Sequence, residues 1–352
     1  MTPPRVADPR FQTVPNPVPV ILDETISIGS TLNLSNPDDR AAERYYEHVL
    51  QTFWRWADKH HVGQLDGGKR QGRPPVLSPA FSSSNVLVTE NTDAGNQIRA
   101  AIRANQRHTH FASMRSSQAL AQSLFAAIKA YKRIDSLEGI NADCGRTAFF
   151  EDHRNWDMCF EHEVHTLGER RPTSVDVLLT GPDHCVAIEC KFTETEFGRC
   201  SRPKLRPNDP RFATERCDGG YHAQAGRTDR CALTAAGIHY WRHVPELFAW
   251  PADRDQLPCL FGQTYQLARN ALAASVPAGE KAGHALIVYD ENNPAFQAGG
   301  EATRQWETAQ GACLISGLLR RLSWQRLLRH IGRDSQLAPL ADRLAAKYGF
   351  GS

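Results

Sequence analysis

The chain has 352 residues, of which 41% are hydrophobic and 23% are charged, and its formal net charge at pH 7 is +2. This composition is typical of one large globular domain or two ordinary ones, and it excludes a disordered, collagen-like or fibrous protein. The apolar runs are too short to span a bilayer and the amino terminus lacks a secretory signal, so we expect a cytoplasmic protein without a membrane partner.

Residues 1–90 are predicted to form an extension that precedes the main domain. Seven of the 21 prolines lie in residues 1–40, and this predicts an extended lead-in because proline fixes φ and lacks a backbone donor. A helix is predicted over 41–56, and the stretch 66–84, rich in Gly, Pro and Ser, is predicted to be a linker. The main domain is then expected to span residues 91–352.

A second helix is predicted over residues 91–107. It places Arg99, Arg103 and Arg107 four residues apart and therefore on one face. Residues 94–134 contain no acidic residue. Two interpretations stay open: a solvated helix face, which charge runs usually form, and a stripe that contacts nucleic-acid phosphates, with Arg103 and Arg107 as substrate-binding residues.

The next elements follow the order helix, three strands, helix, strand. The predicted strands cover residues 158–167, 173–180, 185–192 and 284–289. The predicted helices cover residues 116–131, 261–274, 314–331 and 338–348. A turn containing Gly181-Pro182 joins the second and third strands into a hairpin. This order predicts an α/β fold in which helices flank a mixed sheet.

The hairpin carries the candidate active site. Asp176 lies on the second strand, and Glu189 and Lys191 lie on one face of the third. Asp176, Glu189, water and the backbone carbonyl of Cys190 form a ligand set that suits Mg²⁺ or Mn²⁺, and Lys191 would lie beside the metal-bound water and the substrate phosphate. Of the 8 lysines, only Lys191 has an acidic residue two places before it. A structural ion pair is the alternative.

Asp176 and the Glu189-x-Lys191 triplet on adjacent strands of this core resemble the PD-(D/E)xK nuclease superfamily, which has the restriction-endonuclease-like fold. The string 188–194 resembles an uncharacterised bacterial branch, and the resemblance covers about residues 116–289. It implies metal ligation by Asp176 and Glu189 and water activation or phosphate contact by Lys191. It also implies Mg²⁺-dependent hydrolysis of nucleic acid, with DNA favoured over RNA, in defence or repair.

Two departures from the superfamily pattern concern acidic residues. The literal Pro182-Asp183 pair lies only six residues before the glutamate of the triplet, so we assign Asp183 to the turn and not to the site. Many members carry a further acid on the first helix, where this chain offers only Gln118 and Gln122. We therefore include Glu163 on the first strand in the candidate site, with Glu161 as the alternative.

Three further residues are candidates for substrate binding. Gln263 and Tyr265 lie on the helix after the third strand, where some relatives grip the substrate with Gln and Tyr, and Gln118 lies on the first helix. A capping or core role is the alternative for the first two.

Four cysteines follow the hairpin, namely Cys200, Cys217, Cys231 and Cys259. Some nucleases of the resembled superfamily hold zinc or an iron–sulfur cluster with cysteines. The four residues contain no C-x₂-C pair and are loosely spaced, so buried free thiols are the alternative.

These observations support two hypotheses from different classes. The leading one is a Mg²⁺-dependent deoxyribonuclease of restriction-endonuclease type. The rival is a nucleic-acid-binding or assembly protein that retains the nuclease fold and has lost catalysis. The intact Asp176, Glu189 and Lys191 set favours the enzyme, and the missing helix acid favours the rival. The oligomeric state stays open, a dimer included.

Overall fold

The computed structural model describes residues 37–67, 72–152, 154–170, 172–224, 226–277 and 282–351. The predicted Pro-rich lead-in, residues 1–36, lies outside these ranges. The helices are α1 Pro37–His60, α2 Thr92–Ala100, α3 Ser117–Ala130, α4 Phe212–Glu215, α5 Ala232–Ala235, α6 Tyr240–Leu247, α7 Leu260–Gln263, α8 Tyr265–Ser275, α9 Glu301–Gly311, α10 Trp324–Ile331 and α11 Ala338–Tyr348. Within the described ranges, no helix has both the length and the apolarity that a membrane span requires.

Five strands form one mixed sheet in the order β1-β2-β3-β4-β5. They are β1 Asp157–Val164, β2 Thr173–Thr180, β3 His184–Cys190, β4 Ala282–Tyr289 and β5 Leu319–Ser323. β2 pairs antiparallel with both β1 and β3, whereas β3, β4 and β5 run parallel to one another. The predicted order of helix, three strands, helix and strand is confirmed by α3, β1–β3, α8 and β4.

The sheet separates two apolar cores. Val186, Ile188 and Cys190 of β3 point into the first core, together with buried side chains of α1, α3, α10 and α11. Ala187 points into the second core, which contains buried side chains of α6, α8 and α9. The predicted apolar face of β3 is confirmed. Glu189 has the opposite orientation to its two neighbours and therefore points toward α8.

The first core also contains residues from the predicted extension. Val49 and Phe53 of α1 are buried there. The ring of Phe53 makes edge contacts with Tyr348, at 5.7 Å between centroids, and with Phe192, at 5.8 Å. The predicted boundary at residue 90 therefore falls inside one continuous core.

Two predicted helices are correct only in part. The helix predicted over 91–107 ends at Ala100. The amide of Gln122 in α3 donates to the carbonyls of Ile98 at 2.7 Å and Arg99 at 3.1 Å, and so supplies hydrogen bonds to carbonyl groups that the end of the helix leaves without the usual α-helical donor. The predicted helical stripe of Arg99, Arg103 and Arg107 therefore does not form.

The helix predicted over 314–331 is instead β5 followed by α10. Leu319 and Leu322 are buried where β5 pairs with β4. The side chain of Ser323 then accepts from the backbone N–H of Arg326 and begins α10. Pairing with β4, some thirty residues earlier in the chain, thus makes the first part of the predicted helix a strand.

Candidate active site

Three carboxylates occupy one row across β1, β2 and β3. The register of the two strand pairs places Glu161, Asp176 and Glu189 opposite one another. Glu161 has a φ of 45°, a left-handed conformation that is uncommon for a residue with a side chain. The ladder between β1 and β2 continues on both sides of this position and is interrupted at it. We call these three residues the carboxylate row.

Asp176 lies in the middle of the carboxylate row. Its Oδ2 accepts the backbone N–H of Cys190 at 2.8 Å, which fixes the side chain against β3. Burial raises the pKa of Asp176 well above its usual value, and the charges of Glu189 and Glu161 raise it further. Repulsion among like charges is therefore built into the site.

Glu189 is 6% exposed and is held by α8. Gln266 donates to its Oε1 at 2.6 Å and Asn270 to its Oε2 at 3.0 Å. These donors lie one helical turn apart and face the sheet, so they fix the carboxylate with two hydrogen bonds. The sequence interpretation gave Asn270 no role, and it grouped Gln266 with Gln263 and Tyr265 as a possible substrate contact. The feature of the sequence that could have identified both residues is a pair of amide side chains four residues apart on an otherwise apolar helix face.

Lys191 follows β3 directly and is 7% exposed. Its Nζ lies 3.1 Å from Glu189 Oε1. Burial disfavours the ammonium, but the charges of Glu189, Glu194 and Asp176 outweigh it and raise the pKa of Lys191. The backbone is fixed as well, because the Lys191 carbonyl accepts from Trp324 Nε1 at 2.9 Å. The structure thus brings together Asp176, Glu189 and Lys191.

Glu161, and not Glu163, is the acid of β1 that joins the row. Gln118 of α3 donates to Glu161 Oε1 at 2.5 Å, and Ser174 donates to its Oε2 at 2.6 Å. Glu163 is exposed and lies 3.6 Å from His165 Nε2. The placement of Glu163 in the site is corrected in favour of Glu161, the alternative, because the left-handed backbone at Glu161 breaks the alternation that would put both side chains on one face. Gln118, a predicted substrate-binding residue, lies beside the row, where its amide orients Glu161.

The other predicted substrate-binding residues lie elsewhere. Arg103 is exposed, and the Arg107 guanidinium lies 4.7 Å from the centroid of the Phe111 ring. The Tyr265 hydroxyl lies 3.0 Å from that of Tyr240, inside the second core. Gln263 lines a separate pocket, together with Cys200, Cys217, Cys231 and Cys259. We call this space, of about 500 Å³, the cysteine pocket.

The carboxylate row fits a hard divalent cation. Within the described ranges, no group of three or more His, Cys, Asp or Glu side chains could hold a metal ion by itself. Mg²⁺ does not need such a cage, because it keeps several waters and binds through one or two carboxylates. A cation beside Asp176 and Glu189 would also offset the repulsion that raises the pKa of Asp176.

Comparison with known proteins gave one match. The profile of a family described as Restriction Endonuclease associating with ARP matches residues 48–349. The match begins in α1 and ends just after α11, so it includes both cores and the carboxylate row. Searches of curated proteins and of solved structures found no match.

Proposed function

Because the chain belongs to the family of restriction endonucleases associating with ARP, we propose that it is a metal-dependent nuclease that hydrolyses phosphodiester bonds of DNA. The observation that carries the proposal is the close packing of Glu189 and Lys191 beside Asp176 on adjacent strands. The same geometry supports the finer assignment to the PD-(D/E)xK superfamily.

Asp176, Glu189 and the carbonyl of Cys190 would hold Mg²⁺ or Mn²⁺. The bound ion supplies Lewis acidity toward the phosphate and lowers the pKa of a coordinated water. The two carboxylates are already oriented, by the backbone N–H of Cys190 and by the amides of α8. Preorganised ligands of this kind reduce the reorganisation that metal binding requires.

Lys191 would contact the scissile phosphate and the attacking water. Its ammonium lies against Glu189 and is held in the charged form by neighbouring carboxylates. A fixed positive charge at this position stabilises the negative charge that develops on the phosphate during attack. Glu161 adds a third carboxylate, which we assign to positioning of water at the metal and not to direct ligation.

The test is a cleavage assay on four substrates: supercoiled plasmid, linear duplex DNA, single-stranded DNA and RNA. We expect the full chain with Mg²⁺ or Mn²⁺ to nick or cut the DNA substrates and to lose this activity in EDTA. Asp176→Asn and Lys191→Ala should each lower the rate by about 10³-fold, on the order of 4 kcal/mol of transition-state stabilisation.

The matched control is Asp183→Asn, which removes an exposed aspartate from the turn between β2 and β3. It should cut at the wild-type rate. If wild type and all variants give the same background on every substrate, the enzyme proposal fails and the nucleic-acid-binding or assembly protein takes its place.

A further inference from the structure

Cysteines from four distant positions line the cysteine pocket beside α7. Cys200 lies in the segment after β3, Cys217 follows α4, Cys231 precedes α5 and Cys259 precedes α7. Cys200 and Cys259 are tied together across Gly262. The N–H of Gly262 donates to Cys259 Sγ at 3.2 Å, and its carbonyl accepts the N–H of Cys200 at 2.8 Å. The fold thus brings four free thiols to one cavity.

Three of the four sulfur atoms receive backbone hydrogen bonds. Cys200 accepts from the N–H of Arg202, Cys217 from that of Gly219 and Cys259 from that of Gly262. In each case the donor lies two or three residues after the cysteine. Backbone N–H groups in this position stabilise thiolate ligands and tune the metal group that they hold. This repeated geometry is not required for the burial of an ordinary thiol.

The lining is apolar inside and largely basic outside. Leu233 and Phe261 are buried in the wall. The charged side chains that line the pocket are Arg199, Arg202, Lys204 and Asp218. Arg199 is paired with Glu196 and Glu301, and Arg202 is paired with Glu215, so both arginines at the rim belong to ion pairs and the inference rests on the thiols.

Two kinds of four-cysteine metal group differ in how close the sulfurs must lie. In a zinc site the four sulfurs lie about 2.3 Å from a single ion, which brings them nearly into contact. Among the described residues no three His, Cys, Asp or Glu side chains are placed to hold a single ion, and the four thiols instead line the wall of one pocket. Several metal ions with bridging sulfides fit this arrangement better, and iron–sulfur clusters are the groups that four cysteines hold in this way.

We infer that Cys200, Cys217, Cys231 and Cys259 bind an iron–sulfur cluster. The cluster fastens the long segment between β3 and α8 to the core. Two residues before Cys200, the N–H of Gly198 donates to Gln266 Oε1 at 3.1 Å, and Gln266 in turn holds Glu189. The cluster therefore acts as a structural clamp next to the carboxylate row. This inference does not rest on the proposed nuclease activity.

The test uses the full chain purified without oxygen from cells supplied with iron. We expect a brown protein with equal amounts of iron and acid-labile sulfide, about two to four of each per chain. Its broad visible absorption should bleach on reduction with dithionite. Single serine substitutions at the four cysteines should each lower the iron content several-fold. The control Cys313→Ser removes a half-buried thiol outside the pocket and should keep the full iron content.

Three outcomes would overturn the inference: stoichiometric zinc without sulfide, a metal-free wild type with four reactive thiols, or full iron content in all four serine variants. If a variant does not fold, the iron and sulfide content of the wild type decides alone. A protein that holds the cluster but cuts no substrate contradicts only the proposed function. A protein that cuts DNA without iron or zinc contradicts only the cluster.

Discussion

The carboxylate row and the cysteine pocket lie at opposite ends of a short chain of contacts through Gln266, and they are built in opposite ways. In the row, amide, hydroxyl and backbone groups of the protein already orient the acidic side chains. In the pocket, the four thiols line a cavity, and backbone N–H groups contact three of the sulfurs. The row is organised by the fold, whereas the inferred cluster would organise the pocket.

This difference separates activity from stability. A substitution in the row would remove a proposed ligand and leave the hydrogen-bonded frame in place. A substitution in the pocket would remove a proposed cross-link between chain segments that are otherwise joined by contacts such as the backbone hydrogen bonds between Tyr221 and Gln256. The predictions below test that separation, beginning with the largest expected effect.

The strongest test compares the thermodynamic stability of one variant from each site. Cys217→Ser should lower the free energy of unfolding by about 2 to 4 kcal/mol, because loss of a structural metal group is among the most destabilising changes. Asp176→Asn should not lower it. Chemical unfolding under anaerobic conditions measures both values, with Cys313→Ser as the control. Equal destabilisation of Cys217→Ser and Cys313→Ser would remove the contrast between the two sites.

The second test concerns the contact that links the two sites. Gln266→Ala removes the donor to Glu189 Oε1 and the acceptor of the Gly198 N–H. Cleavage should fall about 10- to 100-fold, as is usual when a group that orients a metal ligand is lost. Gln263→Ala is the matched control, three residues earlier and directed toward the cysteine pocket. A full cleavage rate in Gln266→Ala would mean that Glu189 needs no support from α8.

The third test separates the two glutamates of β1. Glu161→Gln keeps the shape of the side chain but removes one charge from the row, and it should lower the cleavage rate about tenfold. Glu163→Gln changes an exposed residue on the same strand and should leave the rate unchanged. The measurement is the cleavage rate at saturating Mg²⁺. The reverse order of effects would restore Glu163 to the site.

The smallest expected effect is a pH dependence of stability in the metal-free protein. The folded-state pKa of Asp176 is raised, so its contribution to stability is present below the ordinary value near 4 and is lost as the pH rises through the folded-state value. In EDTA, Asp176→Asn should therefore be about 1 kcal/mol more stable than wild type at pH 7. The difference should vanish near pH 4.

Urea unfolding at the two pH values measures this effect. Added Mg²⁺ should stabilise wild type at pH 7 and have little effect on Asp176→Asn. A variant that is less stable than wild type at pH 7 in EDTA would show that Asp176 is not destabilised by its neighbours.

Sequence reasoning was most successful where a local pattern determined the structure. The apolar spacing of α3 and the β-rich hairpin were sufficient to place Asp176 next to Glu189, because a tight turn fixes the register of the two strands that it joins. The family match supports the restriction-endonuclease part of the resemblance. The roles of Asp176, Glu189 and Lys191 stay predictions.

Long-range contacts account for what sequence reasoning missed. Simple alternation puts Glu161 and Glu163 on one face, and only the left-handed backbone at Glu161 separates them. The leucine and arginine pattern around β5 has helical spacing, yet pairing with β4 makes it a strand. The spacing of the four cysteines in the sequence does not indicate that they line one pocket, because the irregular segments between them determine where they lie.

The aromatic contacts of Phe53 have a consequence for the order of events during translation. Phe53 belongs to the first described helix and Tyr348 to the last, and both rings lie against Phe192, the residue after Lys191. A nascent chain shorter than 348 residues cannot complete this packing. The surroundings of Lys191 are therefore assembled only after residue 348 has left the ribosome, so a product terminated before this residue would lack the aromatic packing beside the candidate site.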